Sequence, residues 1–240
     1  MPASAQRPVD PLAALDWPVL VEQLDANGHA LIPGLLDKAQ CEALRALYEQ
    51  DGPFRSRVVM ARHNFGRGEY RYFAYPLPAL LQTLREAFYP PLCAIANTWQ
   101  ERLGSGIHYP PDPAAFLAEC HAAGQRRPTP LLLRYRAGDY NCLHQDLYGE
   151  LVFPLQVAIL LSQPGEEFAG GEFVLTEQRP RMQSRVAVVP LRQGDAVVFA
   201  VAQRPVRGER GYHRVNLRHG VSRLHTGERF TLGVIFHDAL

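Results

Sequence analysis

The spacing of apolar and polar positions changes near the middle of the chain. Up to about residue 125 the spacing is mostly helical. Apolar positions predict a short amphipathic helix over 17–26, and Cys41, Leu44, Leu47 and Tyr48 predict a second, with Asp37 as its cap. A longer helical region runs from about 79 to 103, and a short one from 114 to 123. Strand-like segments interrupt them at 29–36, which ends in a Pro-Gly turn, and around 58–61 and 70–74.

Beyond that point the runs are short and apolar or alternating: LLLRYRAGDY, PLQVAILLS, GEFVLTE, RVAVVPL, DAVVFAV, YHRVNLRHGVS and RFTLGVIFH. Turn signals separate them, among them Pro164-Gly165, Gly170-Gly171, Gly194-Asp195, Gly208, Gly211 and Gly227. Seven or eight short strands at this spacing predict a β-sandwich or jelly roll. The expected fold is therefore mainly β with α. A single domain over 1–240 is expected, with helical support and a possible substrate lid in 1–125 and the β core in 126–240.

Composition narrows the partners. The 240 residues are 47% apolar and 20% charged with a formal net charge of +1, so any nucleic-acid or anionic-lipid contact needs a local patch. Lys38 is the one lysine, and every other basic residue is arginine. Cys41, Cys93, Cys120 and Cys142 are scattered with no C-x-x-C pair, which argues against a zinc knuckle or a disulfide framework. No run approaches the ~18 apolar residues that a membrane helix needs. No basic stretch leads into an apolar run at the N-terminus, so a cytoplasmic location is the expectation.

One local pattern carries chemistry. L-H-Q-D puts His144 and Asp146 at i and i+2, on the same side of an extended strand, where both can ligate one ion. H-x-D/E pairs also occur by chance in a chain with nine histidines, so a third ligand must come from elsewhere. His219, in R-H-G-V-S, is followed ten residues later by Arg229 at the head of RFTLGVIF. A buried Arg fork there suits bidentate capture of a carboxylate. His213 and Arg223 have the same spacing. His219 and Arg229 are preferred because Arg223 precedes the turn at Thr226-Gly227, and His213 follows Gly211-Tyr212 as the chain leaves a loop. His29, His63, His108, His121, His225 and His237 read as ordinary surface or edge histidines.

The ordered series R-Y-x-x-G-D-Y, H-Q-D, G-G-E-F-V-L, G-D-A-V-V-F and H-G-V-S-x-x-x-x-G-E-R-F-T-L, over about 130–238, resembles the core of 2-oxoglutarate/Fe(II) oxygenases, especially the prolyl-hydroxylase-like branch. The wider chain, including RSRVVMARHNFGRGEYRYFAYPLP and FVLTEQRPRMQSR, is similar to a bacterial group described as acting on damaged nucleic acid. The resemblance implies a double-stranded β-helix with iron held by His144, Asp146 and His219, 2-oxoglutarate as cosubstrate and dioxygen as oxidant. It makes Arg229 the binder of the cosubstrate's far carboxylate, with Tyr135 near it and Thr231 assisting by a hydrogen bond. VAILLS lacks the second tyrosine that prolyl hydroxylases can carry on the third core strand. Halogenating relatives replace the carboxylate ligand; Asp146 is intact, which favours hydroxylation or oxidative demethylation.

The substrate is less legible. Phe54 to Phe73 interleaves arginines and aromatics, and arginines contact phosphates while aromatic faces stack on bases. Arg67, Tyr70, Arg71 and Tyr72 are thus candidate substrate contacts on a lid, with Tyr140 and Tyr148 flanking the H-x-D pair. The same segment also reads as a packed hairpin. Arg179, Arg181 and Arg185 offer a possible positive rim. Three readings follow: an oxygenase acting on alkylated nucleic acid, such as a single strand, a protein (prolyl-type) or small-molecule hydroxylase, and a non-catalytic jelly-roll metal-binding module.

Overall fold

The computed structural model describes residues 12–179 and 181–240. The reading of the extreme N-terminus rests largely on residues 1–11, outside those described. Helix α1 (Trp17–Asn27) begins where Asp16 accepts from the Val19 amide, and it stops at Gly28, which takes the left-handed conformation that favours glycine. Strand β1 (His29–Ile32) is shorter than the 29–36 expected, because Pro33-Gly34 turns the chain out of the sheet. Helix α2 (Lys38–Ala46) opens with a capping box between Asp37 and Gln40. Strands β2 (Phe54–Val59), β3 (Gly66–Arg67) and β4 (Glu69–Phe73) follow. Residues 60–63 form a 3-10 turn where the strand was expected to continue. Helices α3 (Ala79–Leu103) and α4 (Pro113–Ala122) complete this half.

Ten strands follow among the described residues, more than the seven or eight expected: β5 (Leu131–Arg136), β6 (Tyr140–His144), β7 (Leu155–Leu160), β8 (Phe168–Gly170), β9 (Phe173–Gln178), β10 (Arg185–Val189), β11 (Ala196–Ala200), β12 (Gln203–Gly208), β13 (Gly211–Val221) and β14 (Leu224–Val234). They form two antiparallel sheets. The larger runs β1-β11-β7-β14-β5-β4-β2, with β8 added on β14. The smaller runs β10-β9-β13-β6-β3, with β12 added on β13. The chain thus builds a jelly-roll core, and β1, β2 and β4 of the first half extend its larger sheet.

Alternation along the strands makes two cores. On β7 and β14, Val157, Ile159, Leu232 and Val234 join Leu84, Phe88 and Trp99 of α3 in one cluster. Ala158 and Leu160 point the other way and meet Tyr135, Phe173, Phe199 and Leu224 between the sheets. Every residue of β7 is buried, as a central strand covered on both faces requires. No helix among the described residues is long and apolar enough to cross a membrane, and all four cysteines are free.

Candidate active site

The sheet register brings the separated histidines together. His144, at the end of β6, lies directly opposite His219 on β13, and directly opposed residues share a face. Their rings are 4.2 Å apart. Asp146, two residues past His144, completes the group: its carboxylate is 3.5 Å from His144 Nε2 and 3.3 Å from His219 Nε2. One donor atom from each residue lies within 4.8 Å of the others, close enough to hold a single ion.

The electrostatics suit a cation. His144 Nδ1 lies 2.8 Å from the Cys142 carbonyl; donating there leaves Nε2 with its lone pair directed inward. Burial, and then the neighbouring His219, lower the His144 pKa and favour the neutral, ligating ring. Burial alone would raise the Asp146 pKa. The hydrogen bond from His219, the attraction of the two imidazoles and the Tyr148 hydroxyl, which donates to Asp146 at 2.6 Å, outweigh it and hold the carboxyl well below its usual range. Two imidazoles and one carboxylate on one side of an ion leave its other side open, the donor set of non-haem iron oxygenases.

The opposite sheet supplies a second feature. Arg229 on β14 pairs in register with Tyr135 on β5, and its guanidinium carbon lies 5.6 Å from the Tyr135 ring. It is 1% exposed, and one Nη donates to Thr231 Oγ1 at 2.5 Å. Its Nε has no partner, the Tyr135 hydroxyl has none, and no carboxylate pairs with Arg229 among the described residues. Burial lowers its pKa to about 10, which leaves it charged at neutral pH. Gly171, at φ 66, makes room: a Cβ there would lie 3.1 Å from Arg229 Cδ and 2.4 Å from Leu224 Cδ1. A buried fork with spare donors is a receptor for a carboxylate.

Both features line one cavity of about 320 Å³. Of the six candidate substrate residues, Tyr70 and Tyr148 line it; Arg67, Arg71, Tyr72 and Tyr140 do not. The reason is strand alternation. Tyr70 and Tyr72 share one face of β4, their rings 5.2 Å apart, and Tyr72 is buried beneath Tyr148. Arg71 faces away, over the Tyr48 and Phe54 rings, and donates to Asp51. Arg67 is exposed on β3 beside Tyr140, whose ring lies under Arg223. Arg57 pairs with Glu69, and Arg55 sits over Tyr72. From this segment Asn64 and Phe65 at the hairpin tip reach the cavity together with Tyr70.

Other expectations change too. His213 is not leaving a loop: it lies inside β13 opposite Val206, and Thr226-Gly227 lies within β14. The preferred register still describes the geometry, since His213 is not among the grouped donors. His237 is not a surface residue but fully buried, accepting from the Phe153 amide. Arg179 and Arg185 both lie against Glu177, which buried Arg204 also contacts, so this single carboxylate offsets only part of the rim's charge. Gln156, Leu143 and Leu147 line the cavity and were not singled out by the sequence patterns.

Residues 68–239 match a family described as "Oxygenase, catalysing oxidative methylation of damaged DNA". An uncharacterized protein of Mycobacterium tuberculosis, found in two strains, is 51% identical over 167 residues, which is 70% of this chain and 72% of that protein. The fold is similar to that of a 2OG-Fe(II) oxygenase family oxidoreductase from Burkholderia pseudomallei (TM-score 0.56, 14% identity, 94% of this chain and 93% of that one). It is also similar to a Pseudomonas putida prolyl-4-hydroxylase (TM-score 0.52, 14% identity, 93% and 100%). A Trichoplax adhaerens prolyl hydroxylase gives 0.53 at 16% identity, over 92% and 89%.

Proposed function

The chain belongs to the Oxygenase-NA family, and from that premise we propose that it is an iron(II)- and 2-oxoglutarate-dependent dioxygenase acting on alkylated nucleic-acid bases. The observation that supports this most directly is the joining, in one cavity, of an open His-Asp-His donor set and a buried arginine with no counter-ion. The donor set fits iron(II) by its chemistry: two imidazoles and one carboxylate. The orphaned Arg229 and Tyr135 groups fit the far carboxylate of 2-oxoglutarate.

His144, Asp146 and His219 would hold the ion from one side. Arg229, steadied by Thr231, would fix the cosubstrate by its distal end, with Tyr135 beside it. Tyr148 would keep one Asp146 oxygen occupied and orient the other. When bound, iron(II) with 2-oxoglutarate and dioxygen supplies the oxidation, decarboxylating the cosubstrate to succinate and hydroxylating a substrate carbon. Hydroxylation of an N-alkyl carbon releases the group as an aldehyde and restores the base.

The substrate class is supported by the family description and by the cavity mouth. Phe65, Leu143 and Leu147 are exposed there, an apolar rim on which a flat base can stack. The base would enter from a single strand or after flipping out of a duplex.

The test is succinate release with methylated single-stranded DNA. We expect turnover that requires iron and 2-oxoglutarate, is lost in His219→Ala and survives in His213→Ala. Turnover that survives His219→Ala overturns the assigned ligands. Turnover of prolyl peptides but of no nucleic acid leaves the oxygenase standing and removes its substrate.

A further inference from the structure

Among the described residues, seven side chains carry a buried polar atom with no hydrogen-bond partner. Four of them line the one cavity: His219, Arg229, Tyr135 and Gln156. The first three have roles in the reading above. Gln156 does not.

Gln156 is 5% exposed, and its side-chain Oε1 has no hydrogen-bond partner within the protein. It is the one polar residue of β7 and lies on the same face as Ala158 and Leu160, toward the space between the sheets. Its place along the strand matters. Leu160 faces Thr231, near Arg229, whereas Gln156 is four residues away, opposite Phe199 on β11. The Phe199 ring is 4.7 Å from His219. The amide therefore sits toward the end of the cavity that holds the iron ligands, not the arginine end. Gly233 keeps space open beside it: a Cβ there would collide with Leu131 and lie 3.8 Å from Gln156 Nε2.

The chemistry of the vacant atom selects its partner. Gln156 Oε1 is an acceptor and needs a donor. The 2-oxoglutarate dianion has only acceptor oxygens, and dioxygen has no hydrogen. Of the three reactants, the primary substrate is the one that can carry an N–H to it. The neighbouring Nε2 is a donor, so a group presenting a donor beside an acceptor satisfies both, which is how amides read adenine edges. We propose that Gln156 is a specificity-determining residue: its amide reads the edge of the target base and selects lesions with an exocyclic amine over those that present carbonyls alone. This rests on the nucleic-acid reading of the site.

The experiment compares single-stranded oligonucleotides carrying N1-methyladenine, which has the amine, or N3-methylthymine, which does not. Wild-type protein is expected to prefer the first. Gln156→Leu should raise KM for it about 10-fold with little change for the second, and Gln156→Glu, which keeps the acceptor, should recover most of the loss. Two further readouts need no turnover. In the Mn(II)-loaded protein, Gln156→Leu should bind 2-oxoglutarate as wild type does. Without ligands it should melt a few degrees higher, because it removes an unsatisfied buried amide. An unchanged KM ratio, equal use of both lesions by wild type, weakened 2-oxoglutarate binding or a lower melting temperature overturns the role of Gln156 alone. Wild-type protein that turns over neither oligonucleotide, while releasing succinate with another substrate, overturns the nucleic-acid reading and this assignment with it.

Discussion

Arg229 is a side chain that the free protein holds at a cost. A guanidinium taken out of water without a counter-ion and with an unpartnered Nε is destabilising unless something else completes it. Its one hydrogen bond, to Thr231, orients the fork without neutralising it. Arg229→Met keeps much of the volume and removes the charge. Without cosubstrate this variant should be more stable than wild type, by about 1–2 kcal/mol in urea unfolding. Its 2-oxoglutarate affinity should fall at least 100-fold by calorimetry, or about 3 kcal/mol for a lost charge-assisted fork. A variant that is less stable and binds the cosubstrate normally would make Arg229 a packing residue.

Among the elements, α3 and the segment after β14 depend on each other. Arg85, on α3, donates to the carbonyls of Ile235 and Phe236 at 2.9 and 3.0 Å and to Asp238 at 2.9 Å. Tyr75 accepts from Arg85 and donates to the same carboxylate, which is fully buried. Asp238→Ala would leave the guanidinium buried and unpaired, so unfolding in urea should show a loss of about 3–5 kcal/mol. A loss below about 1 kcal/mol would mean that water reaches the cluster. No sequence pattern marks this clamp, because its partners lie far apart in the chain. Local signals fared better: the Asp37 cap, the α3 periodicity and the H-x-D pair, whose histidine ends β6, depend on near neighbours and were legible. The pairing of His144 with His219 is a matter of sheet register, which spacing alone leaves open. The Arg-aromatic segment was legible only in part. Period-two alternation already separates Arg71 from Tyr70 and Tyr72, so the arginine and the tyrosines could not share a face. Gln156 was hidden differently, as one polar letter in an apolar run whose inward side is fixed only by the neighbouring strands.

The whole molecule divides its site between two sheets. His144 and His219 stand on the smaller sheet, while Arg229, Thr231 and Tyr135 stand on the larger. A cosubstrate that chelates the ion at one end and meets Arg229 at the other ties the sheets together, so its binding reports on both. Ligands that bind only the folded state stabilise it by about 2.7 kcal/mol at 100 times their Kd. Mn(II), which avoids oxidation, should raise the melting temperature of wild type, and 2-oxoglutarate should raise it further. EDTA should remove the first increment and most of the second, because the chelating end then has nothing to hold. Arg229→Ala should keep the metal increment and lose that of 2-oxoglutarate; His219→Ala should lose both. If 2-oxoglutarate stabilises wild type equally with and without metal, Arg229 is an anion site independent of the histidines, and the two sheets do not share one catalytic cavity.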